Sequence, residues 1–325
     1  MTTGAKILAA LRDTAVGVSG AELAERLGVS RAAVWAHIEE LRGLGFGILA
    51  GPHQGYRLME EPDSLLADDL LARLGQCRVI GRDIHVFEET MSTNDVVERL
   101  ARDGVREGVV VFAESQTRGR GRLGRKWVSS PRKGLWFSIL LRPNLRPQET
   151  TQLTAASANA LRRAILGQTN LPVEIKWPND ILIHGKKAAG ILTEMSAELD
   201  RVRHVILGIG IDVNQGPNDF PPDLRKTATS LRLEKGETLS RPALAAAVLR
   251  ELDMEYFRVR DGKFPEVAAE WMEHCATIGR HVTVQIGDRH IRGRAESLDD
   301  DGALILRSEH GRLQRIIGGD VTVEK

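Results

Sequence analysis

The sequence predicts an α+β protein in three parts: a helix-turn-helix with a β-hairpin wing, a central mixed β-sheet with helices on one side, and a small C-terminal β-barrel. Three observations predict it. Residues 1–62 carry helical patterns broken by Gly28, then short apolar stretches around a Gly/Pro turn. Residues 63–276 mix strand and helix patterns, with strands in the majority and joined by short turns. Residues 277–325 hold several short strands separated by sharp turns.

In the first part, Ala21–Leu27 is amphipathic and Gly28-Val29 ends it. Ser30 is a good N-cap for a second helix reaching about Leu44. Val34, Ile38 and Leu41 on that helix fall on one apolar face. Phe46–Leu49 and Tyr56–Leu58 flank Gly51-Pro52-His53-Gln54-Gly55 as a hairpin. Helix-turn-helix plus hairpin is a winged helix.

In the second part, strands are expected at Ile84–Phe87, Gly108–Ala113, Leu135–Leu141, Val173–Lys176, Ile181–Ile183, Ala188–Met195 and Val202–Ile211. Helices are expected at Asn94–Arg102, Thr150–Gly167, Arg241–Arg258 and Phe264–His274. Tight turns such as His184-Gly185-Lys186 favour a mixed, largely antiparallel sheet over a doubly wound parallel one. In the third part, strands at 282–286, 291–295 and 303–306 are punctuated by Gly-Asp and Asp-Asp-Asp-Gly turns.

Composition narrows function little. The 325 residues are 42% hydrophobic and 27% charged, with a formal net charge of +1. That is an ordinary globular make-up, and it gives no electrostatic reason to expect nucleic acid or membranes. No run of about 18 apolar residues suggests a membrane span, and the N-terminus lacks a secretory pattern. Cys77 and Cys275 are too far apart for a CxxC site, and two reduced cysteines fit a cytoplasmic protein. The histidines show no HExxH or paired spacing, so no metal site is assigned to the protein itself.

The sharpest feature is Gly119-Arg120-Gly121-Arg122-Leu123-Gly124-Arg125-Lys126-Trp127. It matches G-x-G-x-x-G formally, but no helix start follows and no acidic residue stands about 20 positions on, so a dinucleotide site is excluded. Five of the nine positions 118–126 are cationic. Glycines admit close backbone approach, and guanidinium forks suit phosphate and carboxylate oxygens. A solvated basic loop or a nucleic-acid patch is the plainer alternative.

Neighbouring segments sharpen this. Ser92-Thr93-Asn94, Glu114-Ser115-Gln116, the Gly-Arg loop, Lys176-Trp177-Pro178-Asn179-Asp180 and Lys187-Ala188-Ala189-Gly190-Ile191-Leu192-Thr193-Glu194 occur in this order. Together they resemble the biotin–protein ligases, and Asp299–Leu306 resembles that family's C-terminal barrel. The winged helix resembles the bifunctional members that also repress the biotin operon. The resemblance covers nearly the whole chain. It implies a winged-helix DNA-binding domain at 1–62, a biotin- and ATP-binding catalytic domain at 63–276 and an SH3-like barrel at 277–325.

The implied reaction has two steps. Biotin's carboxylate attacks the α-phosphate of ATP, giving biotinyl-adenylate and pyrophosphate. A lysine of a biotin carboxyl carrier protein then attacks the adenylate and releases AMP. Fixed cations are the main requirement. By resemblance, Ser92, Thr93, Asn94 and Gln116 line biotin's ureido end, although Ser-Thr-Asn is also a helix N-cap pattern. Arg120, Gly121 and Arg122 cover the biotin chain and phosphoryl group, and Lys187 meets the α-phosphate and carboxylate, with Lys186 beside it as the competing choice. Arg122, Arg125, Trp127, Asn179 and Asp212 are expected at the nucleotide. Asp180 is expected to orient the incoming lysine or meet magnesium indirectly, with a structural Asp-capped turn as the plainer reading. Mg²⁺ is expected to arrive with the ATP phosphates.

Gly208–Asn214 departs from the family at Asp212, where Asn is usual. An amide donates and accepts, whereas an ionised Asp only accepts.

DNA binding is expected at Ser30, Arg31, Trp35 and Arg57, on an operator, with the adenylate-bound form a homodimer. Against it, residues 1–62 hold six Lys/Arg and seven Asp/Glu, a balance of −1. Two rival functions remain: a lipoate-type protein ligase, and a biotin-sensing regulator without catalysis.

Overall fold

The computed structural model describes residues 1–14, 16–51 and 55–324. Their contacts divide into two compact units. One comprises residues 1–76 with 240–246, the other residues 77–239 with 247–325.

The first unit opens with α1 (Thr3–Arg12), α2 (Gly20–Leu27) and α3 (Arg31–Gly43). Gly28 sits in the left-handed region at φ 67° and closes α2, and Ser30 accepts from the Ala33 N–H at 3.1 Å to cap α3. Strands β1 (Gly47–Gly51) and β2 (Gly55–Glu60) form the antiparallel wing. The expected turn residues Pro52, His53 and Gln54 lie outside the described residues. Val34, Ile38 and Leu41 do form α3's buried face, packed with Ile7, Leu8, Leu11, Leu23, Phe46 and Ile48. Helix α4 (Ala67–Leu74) packs on α1.

The second unit is built on a seven-stranded sheet. In chain order come β3 (Asp83–Thr90), α5 (Thr93–Arg102), β4 (Val109–Gln116), β5 (Gly134–Leu141), α6 (Thr151–Thr169), β6 (Val173–Lys176), β7 (Asp180–Ile183), β8 (Lys186–Glu198) and β9 (Arg201–Asp212). Then follow α7 (Leu231–Lys235), α8 (Arg241–Arg260), whose first residues belong to the other unit, and α9 (Phe264–Glu273). The strand order is β3-β4-β5-β9-β8-β7-β6. Among the described strand-to-strand pairs of this sheet only β3–β4 is parallel, because α5 carries the chain over that step while hairpins and other reversals make the rest.

Alternation along the strands separates two faces. One presents Ile139, Leu141 and Leu207 toward α6 and α8, with Leu141, Leu207, Leu153, Leu252 and Tyr256 clustered together. These long helices lie on one side, so the expectation of helices on one side holds for them but not for α5. The opposite face presents Val109, Val111, Leu140 and Ile206 to the shorter α5.

The remaining strands are β10 (His281–Ile286), β11 (Arg289–Leu298), β12 (Leu304–Arg307), β13 (Leu313–Ile316) and β14 (Asp320–Val323). They form an antiparallel sheet in the order β13-β12-β11-β10-β14. Helix α1 was covered only by the general helical pattern of residues 1–62, and helices α4 and α7 and strands β13 and β14 fall outside the elements expected from sequence. The latter four span eight residues or fewer, too short for periodicity to stand out.

Candidate active site and nucleic-acid interface

The sheet face that carries α5 is bare beyond that helix, because β8 and β9 place glycines there. Gly190 pairs with Gly210, and Gly208 lies opposite Leu192. A Cβ at Gly208 would stand 2.4 Å from Asn94 Oδ1, and one at Gly190 or Gly210 would stand 2.8 or 2.5 Å from the Trp127 indole. The glycines thus make room for two side chains and for a ligand beside them.

At one end of this strip, Ser92, Thr93 and Asn94 open α5 and are buried. Ser92 occupies the N-cap position but makes no side-chain cap bond. The triplet is instead tied into a polar cluster. Gln116 Oε1 accepts from the Thr93 N–H at 2.9 Å, and Thr93 Oγ1 lies 2.6 Å from Ser138 Oγ. Ser138 donates to Asn94 Oδ1 at 2.5 Å, and Asn94 Nδ2 donates to Glu194 Oε2 at 2.6 Å. Gln116 Nε2 reaches Ser129 Oγ at 2.9 Å. Hydroxyls and amides therefore gather at the buried end, able to meet a group with both donors and acceptors.

The Gly-Arg segment folds into a small hairpin of its own. The Trp127 N–H donates to Gly119 O at 2.9 Å, and the Gly121 N–H to Arg125 O at 2.7 Å. Its tip is a single helical turn, Arg122–Gly124, with Leu123 left-handed at φ 55°. No helix follows, so the rejection of a dinucleotide site stands.

The hairpin aims its cations in different directions. Arg120 is half-exposed and donates to Asp95 Oδ1 at 2.6 Å and Glu194 Oε2 at 3.2 Å. Burial opposes its charge, but the hydrogen bond to Asp95 and the fields of Glu194 and Asp95 outweigh it and raise its pKa. Arg122 reaches Asn179 Oδ1 at 3.3 Å and Gly319 O at 3.4 Å. Burial pulls its pKa below the usual arginine value, so an incoming anion is favoured there. Arg125 points outward and pairs with Asp320. A cavity of about 180 Å³ adjoins Arg122, lined by Thr154, Trp177, Asn179, Thr193 and Trp271.

Lys187 reaches the same strip by a local irregularity. Asp180 pairs with Gly190 and Ile181 with Ala189, but Leu182 pairs with Lys187, so one extra residue sits in β8. This bulge turns Lys187 onto the face of Gly190 and Asp180. Its Nζ lies 2.5 Å from Asp180 Oδ1 and 5.3 Å from the centre of the Trp127 ring. Lys186 stays exposed beside the turn. Asn179 is pinned to Ile191 in both directions, at 2.7 and 3.0 Å, next to the cis Trp177–Pro178 bond.

Asp212, at the end of β9, is 7% exposed and accepts from Gln215 Nε2 at 2.6 Å. Burial pushes its carboxyl well above the usual aspartate range, with the Lys187 charge pulling the other way.

The site therefore brings together Ser92, Thr93, Asn94, Gln116, Arg120, Trp127 and Lys187 around the glycine strip. Arg122 and Asn179 stand together beside Gly319. Arg125 stands apart, at the surface. The acidic partners Asp95 and Glu194, the hydroxyls of Ser129 and Ser138, and Gln215 were not named from sequence. Glu194 closes the quoted Lys187–Glu194 motif and alternates onto Gly190's face, which was the available signal. Among the described residues no group of three or more His, Cys, Asp or Glu is placed to hold a metal ion.

In the first unit, α3 exposes Arg31 and Trp35, the latter 58% exposed, and β2 exposes Arg57. Ser30 is engaged in capping α3. Arg26 pairs with Glu22, and Arg42 with Glu39 and Ile48 O, so these two arginines serve their own helices and the wing. Among the described residues no helix is long and apolar enough to cross a membrane.

Comparison with known proteins follows this division. Residues 5–57 match an HTH domain family, residues 86–212 the Biotin/lipoate A/B protein ligase family, and residues 277–323 the Biotin protein ligase C terminal domain. The bifunctional ligase/repressor BirA of Bacillus subtilis is 39% identical over 304 residues, covering 94% of this chain and 93% of that protein. The Escherichia coli protein of the same name is 31% identical over 308 residues, covering 94% and 92%. The biotin protein ligase of Aquifex aeolicus, solved with biotin and ATP, superposes with a TM-score of 0.64 at 30% identity, over 75% of this chain and 99% of that one.

Proposed function

The chain belongs to the biotin protein ligase family in its bifunctional ligase/repressor form, and from that premise we propose how its own residues carry the two activities. It is an ATP-dependent biotin ligase. The observation that carries the assignment of roles is the convergence of Arg120 and Lys187 on a glycine-cleared strip closed by Trp127. We assign the buried cluster of Ser92, Thr93, Asn94 and Gln116 to biotin's ureido ring, Arg120, Gly121 and Arg122 to the chain and phosphoryl group, and Lys187 to the carboxylate and α-phosphate. Trp127, Asn179 and Asp212 are assigned to the nucleotide, with Arg125 adding an outer phosphate contact.

In the first step a biotin carboxylate oxygen bonds to the α-phosphorus as the bond to the pyrophosphate oxygen breaks. Two anions meet, and charge builds on the phosphoryl oxygens. Lys187 and the arginines supply the fixed positive charge, which removes the need for solvent to reorganise. In the second, a lysine amine of a biotin carboxyl carrier protein bonds to the acyl carbon, AMP leaves and the amine proton is shed. Asp180, freed from Lys187 when phosphate takes that lysine, is positioned to receive the amine. Mg²⁺ is proposed to enter with the triphosphate, with Asp180, the carboxylate paired with Lys187, able to approach it. The donor set suits a hydrated ion carried by phosphates rather than a protein cage.

The repressor activity is assigned to α3 and the wing through Arg31, Trp35 and Arg57 on operator DNA, with adenylate-dependent pairing of two chains. The decisive experiment supplies purified protein with biotin and ATP. It should release pyrophosphate, form biotinyl-adenylate by mass spectrometry, and then biotinylate a carrier domain. Pyrophosphate release with lipoate in place of biotin would move the assignment to the other substrate.

A further inference from the structure

Asp212 is enclosed in a way that ill suits a charge. Its one hydrogen-bond donor among the described residues is Gln215 Nε2, and Gln215 is itself only 1% exposed. Gln215 is held in place: its carbonyl accepts from Ser230 Oγ at 2.7 Å, and the adjacent Asn214 bonds the Leu239 backbone through both ends of its amide and Lys133 O through its N–H. The cations near Asp212 are committed elsewhere. Lys187, which faces it from β8, is in contact with Asp180 at 2.5 Å. Lys133, at the start of the neighbouring β5, is bound to Asp219 at 2.7 and 2.9 Å. Gln215 Oε1 is buried with no partner. The Asp212/Gln215 pair thus holds more acceptors than donors, a balance that disfavours a negative charge on the carboxyl.

We propose that Asp212 is held as a neutral carboxylic acid and that its O–H and C=O act together, as a side-chain amide does, to read the hydrogen-bonding edge of adenine. The O–H donates to a ring nitrogen while the carbonyl accepts from the exocyclic amine. Gln215 is the positioning residue. Its Nε2 donates to Oδ1, which as the carbonyl oxygen keeps a second lone pair for the exocyclic amine, while Oδ2 carries the proton. The buried, poorly solvated setting favours the uncharged form, in line with the upward push on this carboxyl. The inference rests on the nucleotide assignment above, and it adds a consequence: nucleotide binding weakens as the pH rises and the acid ionises.

The test uses the full chain and the phosphodiester of AMP with the alcohol of biotin, whose charge does not change across the range. First, the carboxyl carbon of Asp212 is followed by NMR against pH, assigned by its loss in Asp212→Asn. A midpoint well above the ordinary aspartate range is expected, and titration within that range would overturn the proposal. Second, binding of the phosphodiester is measured by calorimetry. In the wild type the affinity should fall about tenfold per pH unit above that midpoint, because only the protonated fraction binds. Asp212→Asn, with a permanent donor and acceptor, should bind with a flat profile, and Gln215→Leu should weaken binding and shift the midpoint. Tight binding of the phosphodiester that does not vary with pH in the wild type sinks the neutral acid alone. No binding at any pH sinks the nucleotide assignment itself.

Discussion

Lys187 shows how little separates a surface residue from a site residue. It stands next to Lys186 in a hairpin, and the family resemblance favoured Lys187 with Lys186 as its competitor. The bulge opposite Leu182 turns Lys187, not Lys186, toward Asp180 and Trp127, which supports giving Lys187 the catalytic role. Replacing Lys187 with Met should slow adenylate formation by about 10²–10³, equivalent to about 2.7–4 kcal/mol of barrier, as for loss of one preorganised charge-stabilising group. Lys186→Met should leave the rate within about twofold, and stopped-flow pyrophosphate release distinguishes the two. At the same scale, Asp212 makes stability depend on pH. Its folded pKa is raised above the unfolded value, so the native state holds its proton longer. The contribution is fully present below the unfolded pKa and is lost as pH rises through the folded one. Urea midpoints of the wild type should therefore drop relative to Asp212→Asn on going from acid to alkaline pH, and parallel curves would contradict this.

Elements were more legible than contacts. The long strands and helices follow from alternation and helical spacing, and Ser30 capping α3 was evident from residue type. Ser30→Ala should cost about 1 kcal/mol in the winged helix, read by thermal melting of the first unit's amide signals. The Gly-Arg loop was recognisable by composition, but its hairpin shape was not, because two cross-strand bonds and the left-handed Leu123 have no signature in residue order. The carboxylates that hold Arg120 were hidden for a similar reason. Asp95 and Glu194 lie 25 and 74 positions from it and meet only when α5 and β8 face the same strip. Gly190 and Gly210 carry a prediction that belongs to the sheet. Gly210→Val should displace Trp127 and depress adenylate formation while far-UV circular dichroism stays unchanged, since the added atoms stand 2.5–2.7 Å from the indole. Tryptophan fluorescence reports the movement directly.

At the scale of the whole chain, the HTH match and the ligase-family match fall in two different compact units. Arg31→Ala with Trp35→Ala removes exposed groups on α3, in the unit that does not contain the ligase strip. Operator affinity in gel shifts should fall at least about tenfold, since a good side-chain contact to a base is worth about 1–3 kcal/mol, and pyrophosphate release should be unchanged. The near-neutral composition also acquires a meaning here. The cations Arg120, Arg125 and Lys187 each have a carboxylate partner within the protein. Before substrates arrive, those three charges therefore add little uncompensated positive field toward a passing polyanion. A chain that must find one stretch of duplex with its winged helix is spared a decoy on its own body. The small phosphates of a nucleotide, delivered one at a time into a fitted pocket, can still exchange places with those carboxylates.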